Sequence, residues 1–378
     1  MRRSSLIIAG AWLACLPVAA PADPLLSFGP DIPLFITATA SVRHDDNVNL
    51  AATNKVADTV YILEPGLDYS YNKSQIVTSG VSFNEQFVRY ASHRDSALNS
   101  DLADLQGNFS VHGSVAQIGI VGSYVQENQS ALTINNLNGT ISQSATSAGV
   151  NGAMSLTAKT GVDAGATFTR TEYPQSGFDN NDVWNFPVDL YYAVTPKVDL
   201  SLGYERMQTK TKTGVGDANA NFYNVGARGD FTPKLSGQVR VGVTQNSSTG
   251  VDSGDTLGLN GNLNYQATPK TSFALSGQSG FTVSPLGNTE RDLTVGLNGT
   301  SAISQAWNVT FGGSYNTTHY FIVPPRVDHF VVGDVGLNYI WTQETNFQLQ
   351  YQLRKDTSTV TDAGFDDSIF SFMAATRF

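Results

Sequence analysis

The chain has 378 residues, with 22 basic against 32 acidic side chains and a formal charge of −10. That balance excludes nucleic acid as a partner, because phosphate binding needs a surplus of Lys and Arg. A single cysteine, Cys15, excludes a disulfide framework, and the abundance of Gly, Asn, Ser and Thr favours strands and turns over helices.

The chain opens on Arg2 and Arg3, an apolar run from Leu6 to Ala20, and the small-residue site Ala20-Pro21-Ala22. This order predicts a secretory signal peptide over 1–22. The run is shorter than the ~20 residues a helical span needs, and Pro17 and Pro21 interrupt it. A lipoprotein leader acylated at Cys15 is disfavoured by Trp12 and Leu13 just before it. Residues 23–34 read as a short Pro-rich periplasmic lead, and 35–378 as one structural unit.

The first strand is expected over Phe35 to Val42, followed by an Asp/Asn-rich loop and a strand over Leu63 to Tyr71. In the next strand Val77, Val81, Phe83 and Phe87 alternate, but Glu85 shares their face, which the sequence explains only if the strand is offset or bulged there. From here a polar turn recurs about every 40 residues. The turns are Asn72-Lys73-Ser74, Ser114-Val115-Ala116-Gln117, Ala158-Lys159-Thr160, Thr195-Pro196-Lys197, Thr232-Pro233-Lys234, Thr268-Pro269-Lys270, Ser304-Gln305-Ala306 and Thr342-Gln343-Glu344. Each interval holds two strands about a Gly/Asp/Asn-rich loop, so eight turns separate nine β-hairpins.

Period-two alternation assigns two faces to these strands. Leu235, Val239, Val241 and Val243 alternate with Ser236, Gln238 and Arg240. Leu257, Leu259, Leu263 and Tyr265 alternate with Gly258, Asn260, Asn262 and Asn264. Trp307, Val309, Phe311 and Tyr315 oppose Asn308, Thr310 and Gly312, and Phe347, Leu349, Tyr351 and Leu353 oppose Gln348, Gln350, Gln352 and Arg354. A soluble sandwich would also alternate. These strands, however, are longer than the usual five or six residues. The turns are short at one end and long, acidic and Gly-rich at the other. Tyr69, Tyr71, Trp184, Tyr191, Tyr192, Tyr339 and Trp341 fall at strand ends, where a membrane barrel carries aromatic girdles. The pattern therefore predicts an all-β fold: a transmembrane antiparallel barrel of about eighteen strands (16–18), with both termini periplasmic.

Nothing in the sequence predicts catalysis, a cofactor or a metal. No Gly-x-Ser-x-Gly elbow, His-Glu-x-x-His, Walker loop or dinucleotide fingerprint occurs. The histidines His44, His93, His112, His319 and His329 are dispersed, and the pairing of His112 with Ser114 rests on spacing alone. The segments Gly177–Asp182, Gly214–Asp217, Gly250–Asp255 and Gly364–Asp367 could offer oxygen ligands to Ca²⁺ or Mg²⁺. They read more simply as turns, whose carboxylates would share bridging cations with lipopolysaccharide phosphates. The expected lumen lining is Arg228, Arg240, Asn260, Asn262, Asn264, Gln348, Gln350, Gln352 and Arg354, alongside Asp230. Amides and hydroxyls suit water or a polar, uncharged solute, whereas rings of charge would select ions.

On the last strand Phe370, Phe372, Ala374, Thr376 and the terminal Phe378 share one face. Phe370, Phe372 and Phe378 resemble the terminal-strand signal read by the outer-membrane assembly machinery. The expected partners are that machinery, outer-membrane lipid and lipopolysaccharide. No plug, passenger or peptidoglycan-binding segment is expected, and no long inward loop.

Ser41-Val42-Arg43-His44-Asp45-Asp46-Asn47-Val48-Asn49-Leu50, with Leu63-Glu64-Pro65-Gly66-Leu67-Asp68-Tyr69-Ser70-Tyr71, resembles the outer-membrane β-barrel porin-2 family. The resemblance would extend over 35–378. It implies an outer-membrane channel taking part in export or surface assembly of a polysaccharide, with polysaccharide export proteins as partners, and it carries no catalytic residues. Two other classes stay open on the sequence: a non-conducting scaffold barrel of an export complex, and a barrel enzyme such as a lipid or glycan esterase. Bilayer conductance separates the first from a channel, and a chromogenic ester assay tests the second.

Overall fold

The computed structural model describes residues 26–27, 33–71, 76–92, 99–130, 140–248, 251–322 and 324–378. The leader 1–22 with Cys15, the turn Asn72-Lys73-Ser74, His93 and Gly250 lie outside the described residues. A two-residue strand, β1 (Leu26–Ser27), pairs with the start of the first barrel strand, at Leu34 and Pro33. The barrel runs β2 (Pro33–Asp45), β3 (Asp58–Tyr71), β4 (Val77–Tyr90), β5 (Ser100–His112), β6 (Ala116–Ser130) and β7 (Thr140–Ser155). It continues through β8 (Thr160–Glu172), β9 (Asn181–Thr195), β10 (Val198–Thr211), β11 (Ala218–Thr232), β12 (Leu235–Ser248) and β13 (Val251–Thr268). It ends with β14 (Thr271–Val283), β15 (Thr289–Ala302), β16 (Trp307–Tyr320), β17 (Arg326–Ile340), β18 (Thr345–Ser358) and β19 (Phe365–Arg377). Each strand pairs antiparallel with its sequence neighbours, so β2 to β19 make the eighteen strands that the alternation predicts.

Closure is made by β19 on β2, in register from Ile369 opposite Asp45 to Arg377 opposite Thr37. Phe378 completes it: its N–H donates to the Ile36 carbonyl at 2.8 Å, and its carbonyl accepts from Ile36 N–H at 2.9 Å. Closing the sheet removes the open edge that lipid cannot solvate.

The recurrent turns have a common local cause. The Thr195 hydroxyl accepts from the N–H groups of Lys197 (3.2 Å) and Val198 (3.0 Å). Thr232 does the same for Lys234 and Leu235, Thr157 for Lys159 and Thr160, and Thr342 for Glu344 and Thr345. A hydroxyl at the start of the turn satisfies two N–H groups that the ladder cannot reach, which is why Thr recurs at this position.

The outward face is apolar and open: Leu202 is 63% exposed, Leu257 70% and Leu353 51%. The inward face carries the buried polar groups. Two expectations change here. Tyr191 is no girdle residue; it faces inward and is buried, because it alternates with Tyr192, which faces out. Glu85 does lie on the outward face, at a break in the β3–β4 ladder. Pairing stops at Leu63 opposite Phe87 and resumes in the same register at Gly66 opposite Asn84, so the strand is neither offset nor bulged there. Pro65, which has no N–H to give, sits in that gap and accounts for it.

Candidate functional site

The lumen wall is built from the inward face, and its charges are paired where they stand. On β8 to β12, Arg228 Nη1 lies 2.5 Å from Asp163 and its Nε 3.1 Å from Asp199. Its guanidinium stacks on the Tyr191 ring with Cζ 3.3 Å from the centroid. Arg240 meets Asp189 at 3.0 Å, with both side chains almost fully buried. With its amide oxygen turned toward Arg240, Gln238 accepts from that guanidinium at 2.9 and 2.7 Å. Reaching from β11 to β8 in this way requires the concave side of a curved sheet.

At the closing seam Arg354 donates from Nε to Asp367 at 2.6 Å and stands 3.7 Å from Asp45. Asp45, Asp46 and Asp367 bring their carboxylates close enough to share a cation, but the Arg354 guanidinium already supplies positive charge to two of them. On β17, Arg326 is sealed from solvent, pairs with Asp328 at 2.6 Å and stacks over Tyr320.

The amides on the same face are more open. Asn262 and Asn264 are exposed, with Asn264 donating to Asn262 at 3.3 Å, and Asn298 on β15 is exposed beside them. Asn260, Gln348, Gln350 and Gln352 are half-buried. Phe370 and Phe372 point outward at 49% and 47% exposure, and Phe378 ends the seam at 53%.

At the end away from the tight turns, loops fold inward, contrary to the expectation that none would. Residues 46–57 between β2 and β3 turn into the barrel. Val48 packs with Val60, Val88 and Tyr90 on β3 and β4, and Leu50 with Phe330, Val332 and Phe365 on β17 and β19. Asn47 is fully buried: its amide donates to the carbonyls of Ala51 and Asp366, both at 2.9 Å, and accepts from Ala51 N–H at 3.0 Å. Asp46 accepts from the N–H (2.8 Å) and hydroxyl (2.5 Å) of Ser368. Partial burial would raise the Asp46 carboxyl, but the Ser368 hydrogen bonds, with Lys55 nearby, hold it below its ordinary range. The segment that reads as an Asp-Asn-Val-Asn signature is thus a structural plug-in. Its spaced apolar Val48 and Leu50 were the only hint in the sequence.

A second inward bridge joins loops separated by six strands of wall. Asp179, between β8 and β9, donates its N–H to Pro285 O at 2.7 Å, between β14 and β15. Its carboxylate accepts from the N–H and hydroxyl of Thr213, between β10 and β11. Leu286 packs there with Tyr173, Phe178 and Ile141; burial, and then the nearby Glu290 and Glu127, push the Tyr173 hydroxyl up. His112 ends β5 and Ser114 lies in the following turn, both exposed.

Residues 216–378, covering the nine strands β11 to β19, match the family model described as "Putative beta-barrel porin 2". That match covers less than half of the chain. No curated protein matches it. Among solved structures, the chain is similar to a BenF-like porin from Pseudomonas fluorescens Pf-5, at 10% identity and TM-score 0.52, over 93% of this chain and 100% of that one. It is similar also to Pseudomonas aeruginosa OpdK, solved with vanillate, at 10% identity and TM-score 0.51, over 91% and 99% of the two chains. At such identity the likeness is one of fold: the chain shares the closed antiparallel barrel architecture of those structures.

Proposed function

We propose that the chain is an outer-membrane porin, a channel for polar, largely uncharged solutes, and that it serves the export or surface assembly of a polysaccharide. The observation that carries this reading is the division of labour on the inner wall. Arg228, Arg240, Arg326 and Arg354 are each engaged by carboxylates in place, while Asn262, Asn264 and Asn298 stay exposed on the same face. Paired charges present little net field to an ion. Open amides exchange hydrogen bonds with water and sugar hydroxyls at little cost. Sixteen to eighteen strands generally leave room for an aqueous channel, and the 46–57 loop narrows it. In this reading both termini are periplasmic and the inward loops lie at the cell surface.

Planar-bilayer conductance and liposome swelling test the reading together. A channel of this kind conducts with weak ion selectivity and admits neutral oligosaccharides faster than charged ones of equal size. A correctly folded barrel that neither conducts nor swells liposomes would instead support the scaffold role, which the inward loops also suit.

A further inference from the structure

The wall of the barrel is not paired along its whole height. The β13–β14 ladder holds eight residue pairs, from Asn260 opposite Gln278 down to Thr268 opposite Thr271. The adjoining β14–β15 ladder holds thirteen. From Leu259 toward the loop end, β13 pairs only with β12, as in Leu257 opposite Val243. From Ser279 onward β14 pairs only with β15, as in Phe281 opposite Arg291. A membrane strand needs about 9–11 residues to cross the apolar layer, so the split begins within it.

Other short ladders are repaired by side chains. Above the β5–β6 ladder, Gln126 accepts from Ala103 N–H at 3.1 Å and Asn128 donates to Ser100 at 2.9 Å. At the β19–β2 seam, Asn47 and Asp46 tie on to Asp366 and Ser368. At β13–β14, Ser279 spans the start of the gap: its hydroxyl accepts from Leu259 N–H at 2.9 Å and donates to Leu257 O at 3.1 Å.

The inward bridge at the mouth explains the split. The β14–β15 tip leans inward to give Pro285 O to Asp179. It also packs against the β10–β11 loop so closely that a Cβ on Gly216 would lie 2.3 Å from Gly287 O and 2.9 Å from Val283 Cγ1. The β12–β13 hairpin lies between these two partners along the wall and is bypassed on its inner side.

We propose that this split is a lateral portal from the lumen to the membrane, suited to an alkyl chain bearing one anionic head group. Irregular backbone edges at membrane depth persist only where protein buries them or where they line a wet route. The lumen side of the gap offers Thr256 and Thr282. The membrane side offers Leu257, 70% exposed, and Phe321, 40% exposed, on which the buried Phe281 stacks with centroids 6.1 Å apart. Arg291 reaches to the gap from β15, its Nη1 3.5 Å from Thr256 Oγ1, and among the described residues no carboxylate forms an ion pair with it. A passage polar on one side, apolar on the other and cationic between them fits an anionic amphiphile.

Two measurements on the full-length porin in nanodiscs decide the matter. With Cys15 in the leader, introduced cysteines would be the only thiols of the mature chain. The lumen-facing pair Asn262→Cys/Ser276→Cys lies in the zipped half and is expected to form a disulfide. Thr256→Cys/Thr282→Cys lies across the gap and is expected not to, because a disulfide requires Cα atoms within about 7 Å. Equal oxidation of both pairs overturns the portal. Dodecyl phosphate bearing a terminal diazirine is the ligand probe. Its adducts are expected to concentrate on Leu257 and Leu259, and Arg291→Gln, checked for heat-modifiable folding, is expected to reduce them several-fold. Adducts spread evenly over outward residues such as Leu349 and Phe370, or undiminished in Arg291→Gln, refute it.

Discussion

Asn47 and Asp366 stand 319 residues apart in sequence, yet the Asn47 amide donates to the Asp366 carbonyl at 2.9 Å. This contact fastens the inward 46–57 loop to the strand that closes the barrel. Replacing Asn47 with Ala removes a buried amide and leaves its backbone partners unsatisfied, a loss of about 1–3 kcal/mol for each group left without a partner. The expected result is a folded barrel with larger and noisier single-channel currents. Unchanged currents would show that the loop does not restrict the lumen.

The Arg240–Asp189 pair supports the inner wall rather than selecting ions. Arg240→Met strands a buried carboxylate and should cost about 3–5 kcal/mol, read as a lower heat-modification temperature. Arg240→Met combined with Asp189→Leu should regain most of that loss. If the double variant is no better than the single one, the pair is not the source of the effect.

Adjacent residues on β18 test facing directly. Leu349→Arg places a charge against lipid and should destabilise by about 2–4 kcal/mol near the midplane. Gln350→Arg meets water and should cost little, while shifting any ion selectivity toward anions. Equal tolerance at the two positions would contradict the assigned faces.

Deleting Phe378 removes both terminal hydrogen bonds to Ile36 and the last residue of the Phe370–Phe372–Phe378 face. We expect poor insertion by the assembly machinery and little heat-modifiable protein in the outer-membrane fraction. Normal levels of truncated barrel would show that this face is not an assembly signal.

The Asp46 carboxylate is depressed below its unfolded value, so its contribution to loop anchoring is fully present above the ordinary carboxylate range. It is lost only as pH falls through the lowered folded value. Single-channel currents should therefore stay steady from neutral pH down to the ordinary carboxylate range and rise only in stronger acid. Asp46→Asn should abolish that acid step. A step near neutral pH would assign the anchoring to another group.

Much of this barrel is written locally. A period-two pattern depends only on neighbouring residues, so the sequence alone determined the strand number, the outward set such as Leu349, Tyr351 and Leu353, and the Thr-led turns. It also raised the polar inner row of Asn262, Asn264 and Gln350, because a side chain's face follows from its parity. What parity cannot convey is which inward groups meet after the sheet curves. Arg228 finds Asp163 across three strand intervals, and Val48 and Leu50 fold back on walls built from opposite ends of the chain. The unzipped half of β13–β14 is set by contacts that draw Pro285 to Asp179. These features depend on closure and on loop-to-loop packing between residues distant in sequence, and only the tertiary structure decided them.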